Sequence, residues 1–154
     1  MAEAEVIVRP NTLALKIGPR ARIFTAALVK RAEHALSKVS EMFGVWLQDD
    51  IARTEKAIAE LEATGLVDAA LRSARQLRSS GAAFGYPIIA RIAGSLCELL
   101  DGAARAPRGL TLAHMDAIKV AAREGLRTDD DPVARATCAE LEAKTRLHLA
   151  GPTG

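Results

Sequence analysis

Residues 71–92 read LRSARQLRSSGAAFGYPIIARI, and this stretch decides the fold because it holds one helix, a turn and the start of the next helix. Before the turn, apolar or small residues recur at three- and four-residue steps: Leu71, Ala74, Leu77 and Gly81. That spacing puts them on one face of a helix. Gly85 tolerates the left-handed backbone that commonly ends a helix, and Pro87 fits the first turn of the next.

Similar spacing continues in both directions from this stretch. The pattern predicts helices near residues 24–64, 67–84, 87–101, 111–125 and 131–149, with a candidate break in the first helix between Ser40 and Gly44. Ala and Leu dominate the apolar residues, which favours packed helices over sheets. The sequence therefore predicts an all-α fold, an antiparallel four-helix bundle core with additional N- and C-terminal helical segments. The predicted core contains these residues: Leu77, Ile92, Leu96, Leu99 and Ile118.

The predicted domain organisation is an extended arm and one helical bundle. Residues 1–22 have no helical period, so we expect an arm there and the bundle over residues 23–150. A chain of 154 residues is long enough for a single core.

Composition excludes several classes of function. A net charge of +2, with no basic tail and no aromatic platform, argues against nucleic acid as a partner. The sequence contains no signal peptide pattern and no run of about 20 apolar residues, so we expect a cytoplasmic protein with no membrane partner. Cys97 and Cys138 are isolated in the sequence, which predicts buried free thiols and no metal site. No cofactor is expected.

The stretch that decides the fold also resembles the signature of histidine-containing phosphotransfer (HPt) domains. In that family a helix carries His-x-Leu-Lys-Gly, followed by small residues and an aromatic or aliphatic residue before the glycine that ends the helix. The scaffold positions of the signature are occupied in this chain as follows: Leu77, Gly81, Ala82, Phe84 and Gly85. The similarity is specific over residues 74–92 and weaker elsewhere.

The residues that carry the chemistry of that signature are replaced. Arg75 stands at the phosphohistidine position, Arg78 replaces the lysine and Ser79 replaces the glycine. An imidazole needs an unprotonated nitrogen to accept a phosphoryl group, whereas a guanidinium stays protonated and has no nucleophilic lone pair. Ser79 also adds a side chain where a working site needs close approach. We therefore predict that this helix does not accept phosphate and that the chain is not an enzyme.

The resemblance implies a signalling adaptor that docks the receiver domain of a response regulator, or a histidine kinase, against the motif helix. Helical spacing places the predicted partner-binding residues on one stripe: Arg72, Arg75, Arg78, Ser79 and Ala82. A cation at position 75 suits an acidic pocket, such as the aspartate cluster that holds magnesium in a receiver domain. The same spacing is also typical of an ordinary solvated face. Tyr86, in the turn after the helix, is a further candidate contact or a packing residue.

Two alternatives stay open at this point. His114 opens a predicted helix, where backbone amides favour phosphoryl oxygens, so it is the candidate for a relocated phosphoacceptor. An ordinary surface or capping histidine is the competing interpretation. The third possibility is a structural helical bundle with an unrelated partner or a homodimer, and the sequence does not decide the oligomeric state.

Overall fold

The computed structural model describes residues 26–128 and 130–151, and the regular structure within these ranges is entirely helical. The helices are α1 (Ala26–Thr64), α2 (Val67–Ala83), α3 (Pro87–Gly102), α4 (Arg108–Arg123) and α5 (Pro132–Leu149). The all-α prediction is confirmed, and each of these boundaries lies within three residues of its predicted position. The predicted arm, residues 1–22, lies outside the described residues. None of the described helices has the length and apolar character that crossing a bilayer requires.

The first helix is continuous where a break was considered. Gly44 lies inside α1 with open space where a Cβ would stand, so nothing there forces the helix to bend. The chain divides into two compact units, residues 1–39 and 40–154, and α1 contributes to both. In the first unit, every described residue is exposed. The second unit contains the rest of α1 and the other four helices.

The turn between α2 and α3 has the structure that its sequence predicts. Gly85 adopts a φ of 77°, and the amide of Tyr86 donates a 2.7 Å hydrogen bond to the carbonyl of Gly81. This is the pattern in which a left-handed glycine satisfies the last carbonyls of a helix. Pro87 then occupies the first turn of α3. Gly85 and Pro87 therefore fix where α2 ends and α3 begins.

Helix α3 is the centre of the second unit and packs against α2, α4 and α5. Its buried side chains lie on most of its faces: Ile88, Ile89, Ile92, Ala93, Ser95, Leu96, Cys97, Leu99 and Leu100. The backbones of α2 and α3 approach closely at Gly81, where a Cβ would lie 3.0 Å from the backbone nitrogen of Ala90. A larger residue at 81 would push the two helices apart.

Polar contacts join the second half of α1 to two other helices. The hydroxyls of Thr54 and Ser73 are 2.9 Å apart and link α1 to α2. Lys119 Nζ lies 2.9 Å from Glu55 Oε1 and links α4 to α1. These two side-chain contacts link α1 to α2 and to α4. Helix α3 packs against α2 and α4, and α5 packs against α3 and α4.

The core prediction is confirmed. All five predicted core residues have at most 2% of their surface exposed. Cys97 and Cys138 are both buried, as expected. The last helix begins at Pro132, with the Asp131 carboxylate accepting hydrogen bonds from two amides of its first turn. Helix α2 has no side-chain cap: Leu66 precedes it, and Asp68 lies in its first turn.

Candidate partner-binding surface

The exposed face of α2 carries five of the six predicted partner-binding residues. These residues, here called the arginine stripe, are all exposed: Arg72, Arg75, Arg78, Ser79 and Ala82. The opposite face of the helix is buried against its neighbours, as Leu77 and Ala74 show with no exposed surface. Helical geometry thus separates a core-facing row from a row that is open to a partner.

Arg75, at the position of the phosphohistidine in the resembled signature, has a weak partner. Its Nη2 atom lies 3.5 Å from Asp101 Oδ1 at the end of α3, and the two side chains are 57% and 64% exposed. A long pair between exposed side chains contributes little stability because water screens it and both chains lose freedom. The guanidinium can therefore exchange Asp101 for a carboxylate of a bound protein.

Ser79 is held by its own helix. Its hydroxyl donates a 3.1 Å hydrogen bond to the carbonyl of Arg75, one turn earlier. This local bond uses the hydroxyl proton and keeps the side chain beside the backbone. The replacement of glycine by serine thus places an ordered side chain next to position 75.

The side chain of Arg78 lies against α3 at Gly94. A Cβ built on Gly94 of α3 would lie 3.8 Å from Arg78 Cδ, so the arginine chain passes over this glycine. The side chain forms one wall of an open groove of about 600 Å³ between α2, α3 and α5. The charged residues that line this groove, here called the α2–α5 groove, are Arg78, Arg91, Glu98, Glu142 and Arg146.

One ion pair fixes the side of the groove formed by α3 and α5. Arg91 Nε and Nη2 donate to the two oxygens of Glu142 at 2.6 and 2.9 Å. This two-pronged geometry is the strongest form of an arginine–carboxylate contact. The hydrogen bond from Arg91 lowers the pKa of Glu142, so the pair stays charged near neutral pH. The contact holds α5 in position beside α3.

Tyr86 is buried rather than part of the exposed stripe. It is 7% exposed, and its hydroxyl accepts a 2.8 Å hydrogen bond from Arg127 Nη2. The Arg127 guanidinium also lies 4.4 Å from the centre of the ring, a cation–π distance. The tyrosine therefore ties the α2–α3 turn to the segment between α4 and α5. It presents little surface to a partner.

His114 is fully buried at the junction of α3, α4 and α5. Its Nδ1 atom lies 2.7 Å from the carbonyl oxygen of Leu110, which can only accept, so Nδ1 carries the proton. The hydroxyls of Ser95 and Thr145 lie 3.0 and 3.4 Å from Nε2 and bond to each other at 3.1 Å. Burial lowers the pKa of His114, and the bond to Leu110 opposes that effect. The ring is neither at the surface nor a cap, so the interpretation as an ordinary surface or capping histidine is wrong.

The groove contains residues that the sequence alone did not identify. Arg91 and Glu142 are 51 positions apart, and no local pattern shows that α5 packs beside α3 there. Ser95, which also lines the groove, connects it to the His114 contact below. Within the described ranges, no group of three or more His, Cys, Asp or Glu side chains is arranged to hold a metal ion.

Comparison of the chain with protein-family models, with curated proteins and with solved structures finds no match. The resemblance to HPt domains stays a prediction that rests on the sequence motif.

Proposed function

We propose that this chain is a cytoplasmic, non-catalytic signalling adaptor of HPt-like architecture. In this proposal α1 to α4 form the four-helix bundle core and α5 is an addition on its outside. The closed order of contacts from α1 through α4 supports that arrangement. The partner is the receiver domain of a response regulator or a histidine kinase, and it binds to the arginine stripe on α2.

The observation that carries the proposal is that Arg75 is exposed and only weakly paired. It occupies the phosphohistidine position of the resembled signature, on an exposed helix face, and its partner among the described side chains is Asp101, at 3.5 Å. A cation held this loosely suits a cluster of carboxylates on a partner. It does not suit nucleophilic chemistry, because the guanidinium remains protonated.

The alternative of phosphate transfer through His114 has no supporting observation. The ring has no exposed surface, and both nitrogens lie within hydrogen-bonding distance of protein atoms. Accepting a phosphoryl group at Nε2 would require α3, α4 and α5 to separate. The adaptor hypothesis needs no such rearrangement.

The experiment is a titration of the chain with purified receiver domains from the same organism, with and without millimolar magnesium. If Arg75 enters the carboxylate cluster that binds the metal, magnesium should compete and weaken binding. Arg75→Ala should weaken binding more than Arg72→Ala, because the central position of the stripe loses more water on docking. Arg123→Ala is the control, since Arg123 is exposed at the end of α4 and contributes to neither the stripe nor the groove. Absence of binding to receiver and kinase domains would contradict the proposal and favour a bundle with an unrelated partner.

A further inference from the structure

The α2–α5 groove carries an excess of positive charge. It is lined by three guanidinium groups and two carboxylates. Arg91 and Glu142 neutralise each other through their two short hydrogen bonds. What remains is Arg78 on the α2 side and Arg146 on the α5 side; Glu98 is the other carboxylate of the groove, and the charge of Arg146 also acts on Glu142.

The remaining two guanidinium groups are available to a ligand. Among residues 26–128 and 130–151, no carboxylate lies within 4.0 Å of either the Arg78 or the Arg146 guanidinium. Both residues are exposed and line the same groove from different helices. Guanidinium groups that face a shared cavity without carboxylate partners attract a negatively charged group.

Small residues keep the groove accessible between these cations. Gly94 has only the Arg78 chain near the position of a Cβ, at 3.8 and 3.9 Å. Ala82 and Ala90 complete the side formed by α2 and α3. The resulting volume of about 600 Å³ is large enough for one or two side chains of another protein, and it lies within the usual range of ligand sites.

We infer that the α2–α5 groove receives a carboxylate side chain of the partner protein, held by Arg78 and Arg146. A protein carboxylate is the occupant we choose because the groove is continuous with the arginine stripe: Arg78 and Ala82 belong to both. A partner that covers α2 at Arg75 therefore reaches the groove with a neighbouring part of its surface. This inference rests on the proposed function and extends the binding surface from α2 to α5.

Glu98 has a defined role in this arrangement. Its carboxylate lines the same groove without pairing with either cation, and its negative charge repels an incoming carboxylate. Removing its charge should therefore tighten binding, whereas removing either arginine should weaken it. A general loss of packing would weaken binding in all of these variants. Tighter binding without the Glu98 charge and weaker binding without an arginine therefore indicate a site for a carboxylate.

The test measures receiver-domain binding by four variants of the full chain: Arg78→Gln, Arg146→Gln, Glu98→Gln and Lys144→Gln. Lys144→Gln is the matched control, because it removes one positive charge from the helix that carries Arg146. Lys144 itself pairs with Glu140 and does not line the groove. We expect Arg78→Gln and Arg146→Gln to raise Kd about tenfold, as the loss of a charge-assisted contact does. Lys144→Gln should change Kd less than about twofold, the effect of an exposed charge. Glu98→Gln should lower Kd. Circular dichroism melts establish that each variant is folded.

Three results would overturn the inference, and they are distinguishable. If wild type binds and Arg146→Gln behaves as Lys144→Gln does, the groove takes no part while the arginine stripe still binds the partner. If wild type binds but Glu98→Gln weakens the complex, the groove attracts a cation of the partner rather than a carboxylate. If wild type binds no receiver or kinase domain, the proposed function fails and the inference fails with it.

Discussion

The guanidinium of Arg75 lies 3.5 Å from the carboxylate of Asp101, across the open side of the α2–α3 pair. Both side chains are more than half exposed, so this contact contributes little to stability. It does give the guanidinium at the centre of the arginine stripe a carboxylate partner within the chain. Asp101 is thus an internal substitute for the acidic group that we propose Arg75 binds. This relationship leads to the first prediction.

Asp101→Asn should strengthen partner binding and leave stability almost unchanged. The change releases Arg75 from its internal carboxylate, so the free energy of unfolding should shift by less than about 0.5 kcal/mol. The matched control is Asp116→Asn, which removes the same charge from an exposed pair with Lys119 on α4. Isothermal titration with a receiver domain should give a lower Kd for Asp101→Asn only. Equal affinities for both variants would mean that Asp101 does not compete for Arg75.

The core prediction concerns Leu96, which has no exposed surface at the centre of α3. Leu96→Ala removes buried methyl groups and leaves a cavity, so it should lower the free energy of unfolding by about 2–5 kcal/mol. Leu147→Ala is the control, since that leucine is 71% exposed and should cost less than about 0.5 kcal/mol. Urea denaturation measures both. A loss below about 1 kcal/mol for Leu96→Ala would contradict the central position of α3.

Stability should depend on pH through His114. Burial lowers its pKa in the folded chain from the ordinary value of 6.5, so the unfolded chain binds a proton that the folded chain does not. The free energy of unfolding should therefore be constant above about pH 6.5 and fall as the pH drops from there toward the folded pKa. The Glu142 carboxylate, whose pKa is lowered from 4.5, adds a loss only at more acidic pH.

Urea denaturation between pH 5.5 and 8 measures this dependence. In His114→Gln the free energy of unfolding should no longer fall below pH 6.5. In His148→Gln, which changes an exposed histidine, it should fall as in the wild type. A wild-type slope that survives in His114→Gln would assign the effect to another group.

Restoring the replaced residues should restore phosphate uptake only in combination. Arg75→His alone should take up little, because the ordered Ser79 side chain beside the same turn hinders approach. The triple variant Arg75→His, Arg78→Lys, Ser79→Gly should take up more from a phosphorylated receiver. The double variant Arg78→Lys, Ser79→Gly, which lacks the imidazole, is the control and should take up none. A folded triple variant that binds its receiver but remains inert would refute our explanation of the lost chemistry.

Local sequence signals were sufficient to predict the helices. The turn at Gly85 and Pro87 is determined by residues next to each other, and the structure has it where it was expected. The break considered near Gly44 is absent, since one glycine in a helix costs only about 1 kcal/mol and need not end it.

Contacts between distant helices could not be predicted in this way. His114 was interpreted as a candidate phosphoacceptor or as an ordinary surface or capping histidine, but Ser95 and Thr145, on two other helices, enclose it. Tyr86 is buried because Arg127, 41 positions later, covers it. The α2–α5 groove depends on the pairing of Arg91 with Glu142 across two helices. Periodicity shows which face of a helix is apolar but not which helix covers it.

The central claim is that the chain binds its partner without accepting phosphate. The most direct measurement incubates the wild-type chain with a ³²P-phosphorylated receiver domain and follows both complex formation and label. Our account predicts a stable complex, with the label remaining on the receiver or released as inorganic phosphate. Label on this chain that is stable in base and lost in acid, as phosphohistidine is, would contradict it.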